Sequence, residues 1–344
     1  MQSQHQKDGS DSPAGAHSTS VQRSGSLERI AAVAIGRNEG ERLIRSLASL
    51  QGQVDRIIYV DSGSTDGSVE AALAAGAEIV ELDPTRLFTV SRARNAGFFH
   101  LLETGETPDF VQFIDGDCEV RSGWIQTALD FLRGNPEVAA VSGRRRELFP
   151  DATIWNKLID LEWAKPEGET VGCGGDVMMR LVALEAVGGY DPDTIVGEEA
   201  EVCIRMRRKG WRIWQLEDEM TLHDVAMTRF RQWWRRTRRS GYGYGEAVAL
   251  YGAPPERHKV VESRRALFWG LILPITAVVG ALFTPWFLIL LLAWPAQVIR
   301  LIAGGTTPLK ALFLVIGKVP EALGILEFLI KRRLFQTSER IDYK

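Results

Sequence analysis

The sequence predicts an open, doubly wound α/β domain followed by membrane-associated C-terminal helices. Three observations carry this expectation. From residue 28 onward, short continuous apolar runs alternate with amphipathic, helix-like segments, the pattern of parallel strands covered on both faces. Acidic and glycine-rich turns follow the ends of those runs, where open α/β sheets bind ligands. Beyond Arg265 the composition changes, and Ala266 to Ile299 contains no charged residue. The chain has 344 residues, 45% of them hydrophobic and 25% charged, enough for one large or two modest domains.

Residues 1–27 open as "MQSQHQKDGSDSPAGAHSTSVQRSGS". With no apolar core, this stretch reads as a disordered tail and not as a secretory signal. The α/β domain is expected over 28–252. "RIAAVAI" is its first strand and "ERLIRSLASL" its first helix. "RIIYV" and "SVEAALAAG" repeat the pair. "AEIVEL" is the third strand, "SRARNAGFFHLLE" a helix and "DFVQFI" the fourth strand. "GWIQTALDFLRG" is helical and "EVAAVSG" extended. No internal repeat is visible.

The remainder, 253–344, reads as a membrane region. A single span needs roughly 20 apolar residues, so the uncharged run is too long for one and just long enough for two short ones. Thr284-Pro285 near its middle marks a turn. Arg264 and Arg265 precede the run, and Lys331, Arg332 and Arg333 lie beyond its far side. Positive flanks kept in the cytoplasm require an even number of crossings, hence a helical hairpin over about 266–303. A buried pair of core helices is the alternative. In the segment about 309–331, Lys310, Gly317, Lys318, Glu321 and Gly324 share one face at 100° per residue. That spacing predicts an amphipathic helix lying in the membrane interface.

Net charge is −3, so nothing global points to nucleic acid. Arg229, Arg231, Arg235, Arg236, Arg238 and Arg239 nevertheless crowd one segment, with Trp233 and Trp234 among them. This cluster suits phosphates or anionic lipid beside the apolar run. Cys118, Cys173 and Cys203 are widely spaced and odd in number. They fit neither a disulfide framework nor a zinc site and suggest a reducing compartment.

Five short stretches could carry chemistry. In "VQFIDGDCEV", Asp115 and Asp117 end the fourth strand. Residues two apart in an extended chain face the same side. Two like charges there repel unless a cation sits between them, and hard oxygen ligands suit Mg²⁺ or Mn²⁺. A solvated Asp-Gly turn is the alternative. In "YVDSGSTDGS", Asp61 could accept hydrogen bonds from a base or ribose, or the stretch could be a plain strand-turn-helix capped by Asp66. In "SRARNAGF", Arg92 and Arg94 lie near a helix start, where cations are disfavoured, which points to an anionic partner. In "VGEEAEVCIRMRRKGW", Glu198, Glu199 and Glu201 open a helix where acids are favoured. One of them could instead be a general base, its proton affinity raised by the acid beside it. Upstream, "GCGGDVMMR" offers glycines that let backbone approach a ligand. In "LHDVAMTRF", His223 could be a third metal ligand or a surface histidine.

Taken in this order, from about Ile30 to Glu246, these stretches resemble a family 2 glycosyltransferase of the GT-A fold, a Rossmann-like, doubly wound mixed sheet. "GRNEGERL" resembles the opening motif, "VDSGSTDGS" the nucleotide-binding aspartate loop and "ARNAG" the arginine-containing helix. "DGD" resembles the D-x-D motif, and "GEEAEVCIRMRRKGW" the segment written G-E-D-x-[DE]-L-x-x-R-x-x-x-x-G. The resemblance implies a nucleotide-sugar site built from Asp61, Ser62, Asn38, Glu39, Arg94, Asp115, Gly116, Arg235 and Arg236. It implies a divalent cation, Mn²⁺ or Mg²⁺, on Asp117 and Asp115, with His223 as a further ligand. Glu199 would be the base that deprotonates the acceptor hydroxyl, with Glu198 beside it. Three departures stand out. Glu199 replaces the usual aspartate, which leaves open which of Glu198 and Glu199 is the base. The opening motif lacks the common proline. Gln232, Arg235 and Arg236 echo the Q-x-x-R-W of processive synthases, but Arg236 replaces its Trp, which implies transfer of one sugar and not chain synthesis.

The expectation is therefore an inverting, metal-dependent enzyme at the cytoplasmic face of the inner membrane. It would move one sugar from a nucleotide-diphosphate sugar, a UDP-sugar foremost, to a hydroxyl of a lipid-linked or saccharide acceptor. Membrane lipids are expected partners and nucleic acid is not. A sugar-nucleotide nucleotidyltransferase would share the sheet and carboxylates but not need the "GEEAE" base. A non-catalytic scaffold would tolerate loss of Asp115 and Asp117.

Overall fold

The computed structural model describes residues 28–335; the tail expected over 1–27 lies outside them. Nine strands form one mixed sheet in the spatial order Glu78–Glu81, Arg56–Asp61, Ile30–Gly36, Phe110–Asp115, Val177–Arg180, Val138–Glu147, Arg212–His223, Cys118–Val120, with Gly168–Glu169 pairing Arg212–His223 at the side. The first half follows the sequence pattern. β1 (Ile30–Gly36), α1 (Glu41–Leu50), β2 (Arg56–Asp61), α2 (Ser68–Ala74), β3 (Glu78–Glu81), α3 (Val90–Glu103) and β4 (Phe110–Asp115) alternate in turn. Their four strands are parallel. Strand residues alternate between the two faces, so β1 sends Ala31 and Val33 into one core with Phe98 and Leu101 of α3. It sends Ala32 and Ala34 into another with Leu43 and Leu47 of α1.

The second half departs from simple alternation. After β5 (Cys118–Val120) come α4 (Trp124–Gly134), β6 (Val138–Glu147), α5 (Ile154–Trp163), β7 (Gly168–Glu169), β8 (Val177–Arg180), α6 (Leu181–Ala186), α7 (Glu198–Arg208) and β9 (Arg212–His223). β8 runs antiparallel to both β4 and β6, while β6 and β9 are parallel. The twelve-residue β9 has no apolar run to announce it, because Glu217, Asp218 and Glu219 interrupt it. Opposite them the β6–β9 register shifts between Ser142 and Arg145, the local bulging that lets a strand carry exposed acids without losing its pairing.

The C-terminal helices begin with α8 (Phe230–Tyr251). A continuous helix, Val260–Ala281, follows. It comprises α9 (Val260–Leu267), a π turn at Phe268–Ile272 and α10 (Leu273–Ala281). The chain turns at Thr284-Pro285 and continues as a 3₁₀ stretch, Pro285–Leu292, into α11 (Ala293–Ala303). Both helices are long and apolar enough to cross a membrane, and their most apolar windows are only 22% and 0% buried. A buried core pair is therefore not what these residues form.

The single amphipathic helix expected over 309–331 is two, α12 (Pro308–Ile316) and α13 (Lys318–Phe335), and its polar face turns largely to protein. Lys310 donates to the Leu161 carbonyl at 2.8 Å, and Glu321 is buried beside Lys318. Gly324 lies so close to α8 that a Cβ there would sit 2.0 Å from the Arg238 carbonyl oxygen. One on Gly241 of α8 would sit 2.0 Å from that of Glu321. Gly317, Glu321 and Gly324 of this face pack on α8, Lys310 reaches α5, and Leu312, Leu323, Leu329 and Ile330 are left exposed.

Candidate active site

A cavity of about 370 Å³ opens at the carboxyl ends of β1 and β4. Its walls include Glu39, Ser62, Arg94, Asp115, Gly116, Asp117, Glu198, Glu199 and His223. Nine of the residues marked in the sequence therefore meet there. Four others do not line it. Asp61 is buried, and its carboxylate accepts from the Tyr59 hydroxyl at 2.9 Å and from the amides of Gly63 and Ser64 at 2.8 and 2.7 Å. Asn38 accepts from the Thr65 amide at 2.7 Å. Both side chains build the β2–α2 loop that presents Ser62. Arg235 is exposed, and Arg236 grips Glu162 of α5 at 2.8 and 3.1 Å. The first turns of α8 pack on α5, so the cavity receives Arg239, one turn further along.

Arg92 and Arg94 also part company. The Arg92 guanidinium donates to the carbonyls of Asp83, Arg86 and Leu87. Arg94 is 1% exposed and has three carboxylates: Asp115 at 3.0 Å and Glu198 and Glu199 at 3.2 Å each. The anionic partner that its helix-start position calls for is supplied from within the protein. Three ion pairs offset the desolvation of one buried cation.

The two aspartates do not face one point. β4 ends at Asp115, and Gly116 and Asp117 form a turn before β5, so the extended-chain rule fails between them. Asp115 has Arg94 on one oxygen and Arg145 on the other, at 3.0 and 3.2 Å. Burial works to raise its pKa, but the two arginines outweigh it and hold the carboxyl at about 2. Arg145 also pairs with the fully buried Asp176 at 2.8 Å. Asp176 in turn accepts from the Asp115 amide and the Thr221 hydroxyl.

Asp117 meets His223 instead, with Oδ2 3.5 Å from Nε2. The β5–β9 pairing sets His223 opposite Cys118 and so beside Asp117. Burial first, then Asp115 and Glu39 nearby, push the Asp117 carboxyl up against the opposing pull of His223. The buried Nδ1 of His223 has no hydrogen-bond partner. Asp117, Cys118 and His223 form one group with ligand atoms close enough for an ion. A carboxylate in anionic surroundings beside an imidazole fits a divalent cation, and the nitrogen ligand favours Mn²⁺ over Mg²⁺. Asp115 and Asp117 do not occur together in such a group among the described residues.

Glu198 and Glu199 open α7 on the facing wall. The Glu198 side chain is 6% exposed and that of Glu199 22%. Burial, reinforced by Glu199 and opposed by Arg94, pushes the Glu198 carboxyl up to about 8. Arg145 and Asp176 escaped the sequence reading, and Arg239 entered it only as a member of the arginine cluster. Arg145 hides in a run of three arginines, and Asp176 follows glycines that drew attention to themselves. Its one signal is an acid placed directly before an apolar strand.

Residues 33–178 match the family model described as glycosyl transferase family 2, and residues 110–306 match glycosyl transferase family group 2. A pre-mycofactocin glycosyltransferase of Mycobacterium tuberculosis is 29% identical over 259 residues, 72% of this chain and 53% of that protein. The succinoglycan biosynthesis protein ExoA of Rhizobium meliloti is 28% identical over 247 residues, 68% and 70% of the two chains. A glucosyl-dolichyl phosphate glucuronosyltransferase of Haloferax volcanii is 28% identical over 184 residues, 48% and 56%. The chain spans about half the length of the first and last of these. Among solved structures, the mannosyltransferase PcManGT of Pyrobaculum calidifontis, in complex with GDP-Man and Mn²⁺, superposes with a TM-score of 0.56 at 18% identity. The match covers 91% of this chain and 89% of that one, a likeness of fold.

Proposed function

Because the chain belongs to the family 2 glycosyltransferases and has the GT-A fold, we propose that it transfers a single sugar from a nucleotide-diphosphate sugar to an acceptor hydroxyl, with inversion at the anomeric carbon. One observation carries the reading: Asp117 and His223 share one cavity with Glu198 and Glu199. Direct displacement needs a proton acceptor on one side of the sugar and charge neutralisation of the diphosphate on the other. A Mn²⁺ or Mg²⁺ held by Asp117 and His223 would supply that neutralisation.

The protein's own groups divide the remaining work. With its pKa near 8, Glu198 keeps its proton at neutral pH and cannot accept another. Glu199 therefore takes the proton of the attacking hydroxyl, and Arg94 orients it through Oε1. Arg94 also fixes Asp115, so base and diphosphate side are set by one buried cation. Asp61 and Asn38 shape the loop that receives the nucleoside.

The acceptor in this reading is lipid-linked or a saccharide on the cytoplasmic face of the membrane. The exposed apolar helices Val260–Ala281 and Pro285–Ala303 would form the hairpin, and the exposed row on α12 and α13 would rest in the interface. Two relatives support it: one named for succinoglycan biosynthesis and one for a dolichyl phosphate substrate.

The test is a titration of nucleoside diphosphates against the full chain in detergent, with Mn²⁺, with Mg²⁺ and with chelator. One diphosphate should bind at least about tenfold more tightly with metal, and Asp117→Ala should abolish the difference. Binding indifferent to both metal and Asp117 would sink the reading.

A further inference from the structure

The three cysteines are far apart in sequence, yet all are buried and unbridged, and two lie together. The Cys173 and Cys203 sulfurs are 3.3 Å apart. They join the two segments on which the cavity depends. Cys203 sits on α7 behind Glu198 and Glu199. Cys173 lies in the loop 172–176, with its sulfur 4.0 Å from the Glu199 carbonyl oxygen. In the same loop, Gly175 abuts Arg94 and Asp115, and Asp176 accepts from the Asp115 amide.

We propose that Cys173 and Cys203 are a reversible oxidation site, through which a two-electron oxidant of the peroxide class acts on the cavity. Disulfide formation requires the sulfurs to close from 3.3 Å to about 2.05 Å. Cys173 is the partner able to move, since glycines flank it on both sides and relax its backbone. Cys173 is also the more exposed residue of the two, 8% against 0% for Cys203, so peroxide reaches it first. The O–O bond breaks as the Cys173 sulfur becomes a sulfenic acid and one water leaves. Cys203 sulfur then attacks it, the S–O bond breaks, and a second water leaves. Two thiols lose two electrons and two protons, and the peroxide is reduced to water.

The disulfide would draw the loop 172–176 toward α7 and shift Glu199 relative to Asp115. Displacements on the ångström scale at a reacting centre are costly, so turnover should fall roughly tenfold or more. The proposal rests on the transferase reading only where transfer is the readout. The experiment treats the full chain in detergent with hydrogen peroxide, quenches with catalase, and splits the sample with and without dithiothreitol. Intact mass and thiol counting under denaturing conditions report the bond. Hydrogen exchange over 172–176 and α7 reports the coupling without any substrate. Metal-dependent binding of nucleoside diphosphate and sugar transfer report the consequence.

The expected result is loss of two of the three thiols, slowed exchange in both segments, and reduced transfer, all restored by dithiothreitol. Cys203→Ser and Cys173→Ser should keep their transfer rate under peroxide. Three thiols persisting after peroxide would overturn the proposal. So would a disulfide that leaves exchange and nucleotide binding unchanged, or equal loss of transfer in the Cys203→Ser and Cys173→Ser chains. Absence of nucleotide binding in the reduced protein counts against the transferase reading alone, because exchange still decides this one.

Discussion

Arg94 and Glu198 illustrate how burial assigns roles to like residues. Two arginines stand two apart in "SRARN", and two glutamates stand side by side in "GEEAE", with nothing in the text to separate the members of either pair. Arg92 spends its donors on surface carbonyls, while Arg94 is enclosed among three carboxylates. Glu198 is the more buried acid and holds its proton; Glu199 faces the cavity. Replacing Glu199 by Gln should lower the transfer rate by about 10² to 10⁴ with donor binding little changed. Glu198→Gln should lose far less, because the amide mimics the protonated acid. Steady-state rates on the two variants decide between them, and equal losses would return the base to an open question.

The same raised pKa makes a stability statement. Unfolded, Glu198 titrates near 4.5; folded, near 8. Between these values the folded chain keeps a proton that the unfolded chain releases. The contribution is whole below about 4.5 and is lost as pH rises through about 8. Relative to Glu198→Gln, the native chain should lose up to about 1.4 kcal/mol per pH unit across that window and nothing further above it. Urea midpoints of both chains over the window measure this. A constant difference would show that the two states bind protons alike.

At the scale of elements, the crossing of α8 and α13 decides how the C-terminal region sits. Periodicity placed Lys310, Gly317, Glu321 and Gly324 on one face. It could not say that this face meets protein, because a glycine stripe serves close backbone approach as readily as a water-facing surface. Gly324→Leu would drive a side chain into the Arg238 carbonyl and the Tyr242 amide of α8. Overpacking of this kind costs about 1–3 kcal/mol, so thermal unfolding in detergent should fall by several degrees. A midpoint unchanged by the substitution would mean that the helices are not in contact. The strands show the complementary limit. β1 to β4 are apolar on both faces and plain in the text. β9 is not, since its pairing with β5, β6 and β7 lets it tolerate a run of acids that breaks any apolar run in the sequence.

At the scale of the whole molecule, the exposed apolar helices sit beside the arginines of α8 and α9. Thr284-Pro285 divides them, and Leu282 and Phe283 at the turn are more than four-fifths exposed. If both helices cross, the turn lies on the far side of the membrane from the catalytic cavity. A cysteine at Phe283 should then react with a membrane-impermeant maleimide added to spheroplasts, whereas cysteines placed on the catalytic domain should react only in inverted vesicles. Labelling of Phe283→Cys from the cytoplasmic side alone would mean that the helices lie on the membrane without crossing it.

The sequence by itself determined what depends on neighbours along the chain. That includes the alternating strands and helices of the first half, the uncharged run with its Thr-Pro break, and the five motifs whose order resembles one family. Nine of the marked residues do meet at one cavity. Only the tertiary structure decided which of them share a partner. A turn at Gly116 parts Asp115 from Asp117, giving one to two arginines and the other to His223. Burial separates Glu198 from Glu199 and Arg94 from Arg92. Packing brings Cys173 against Cys203 across thirty positions. The physical reason is common to all of these. Secondary structure follows from local steric and apolar periodicity, whereas the charge and reactivity of a side chain follow from desolvation and from partners that the fold brings in from distant parts of the chain.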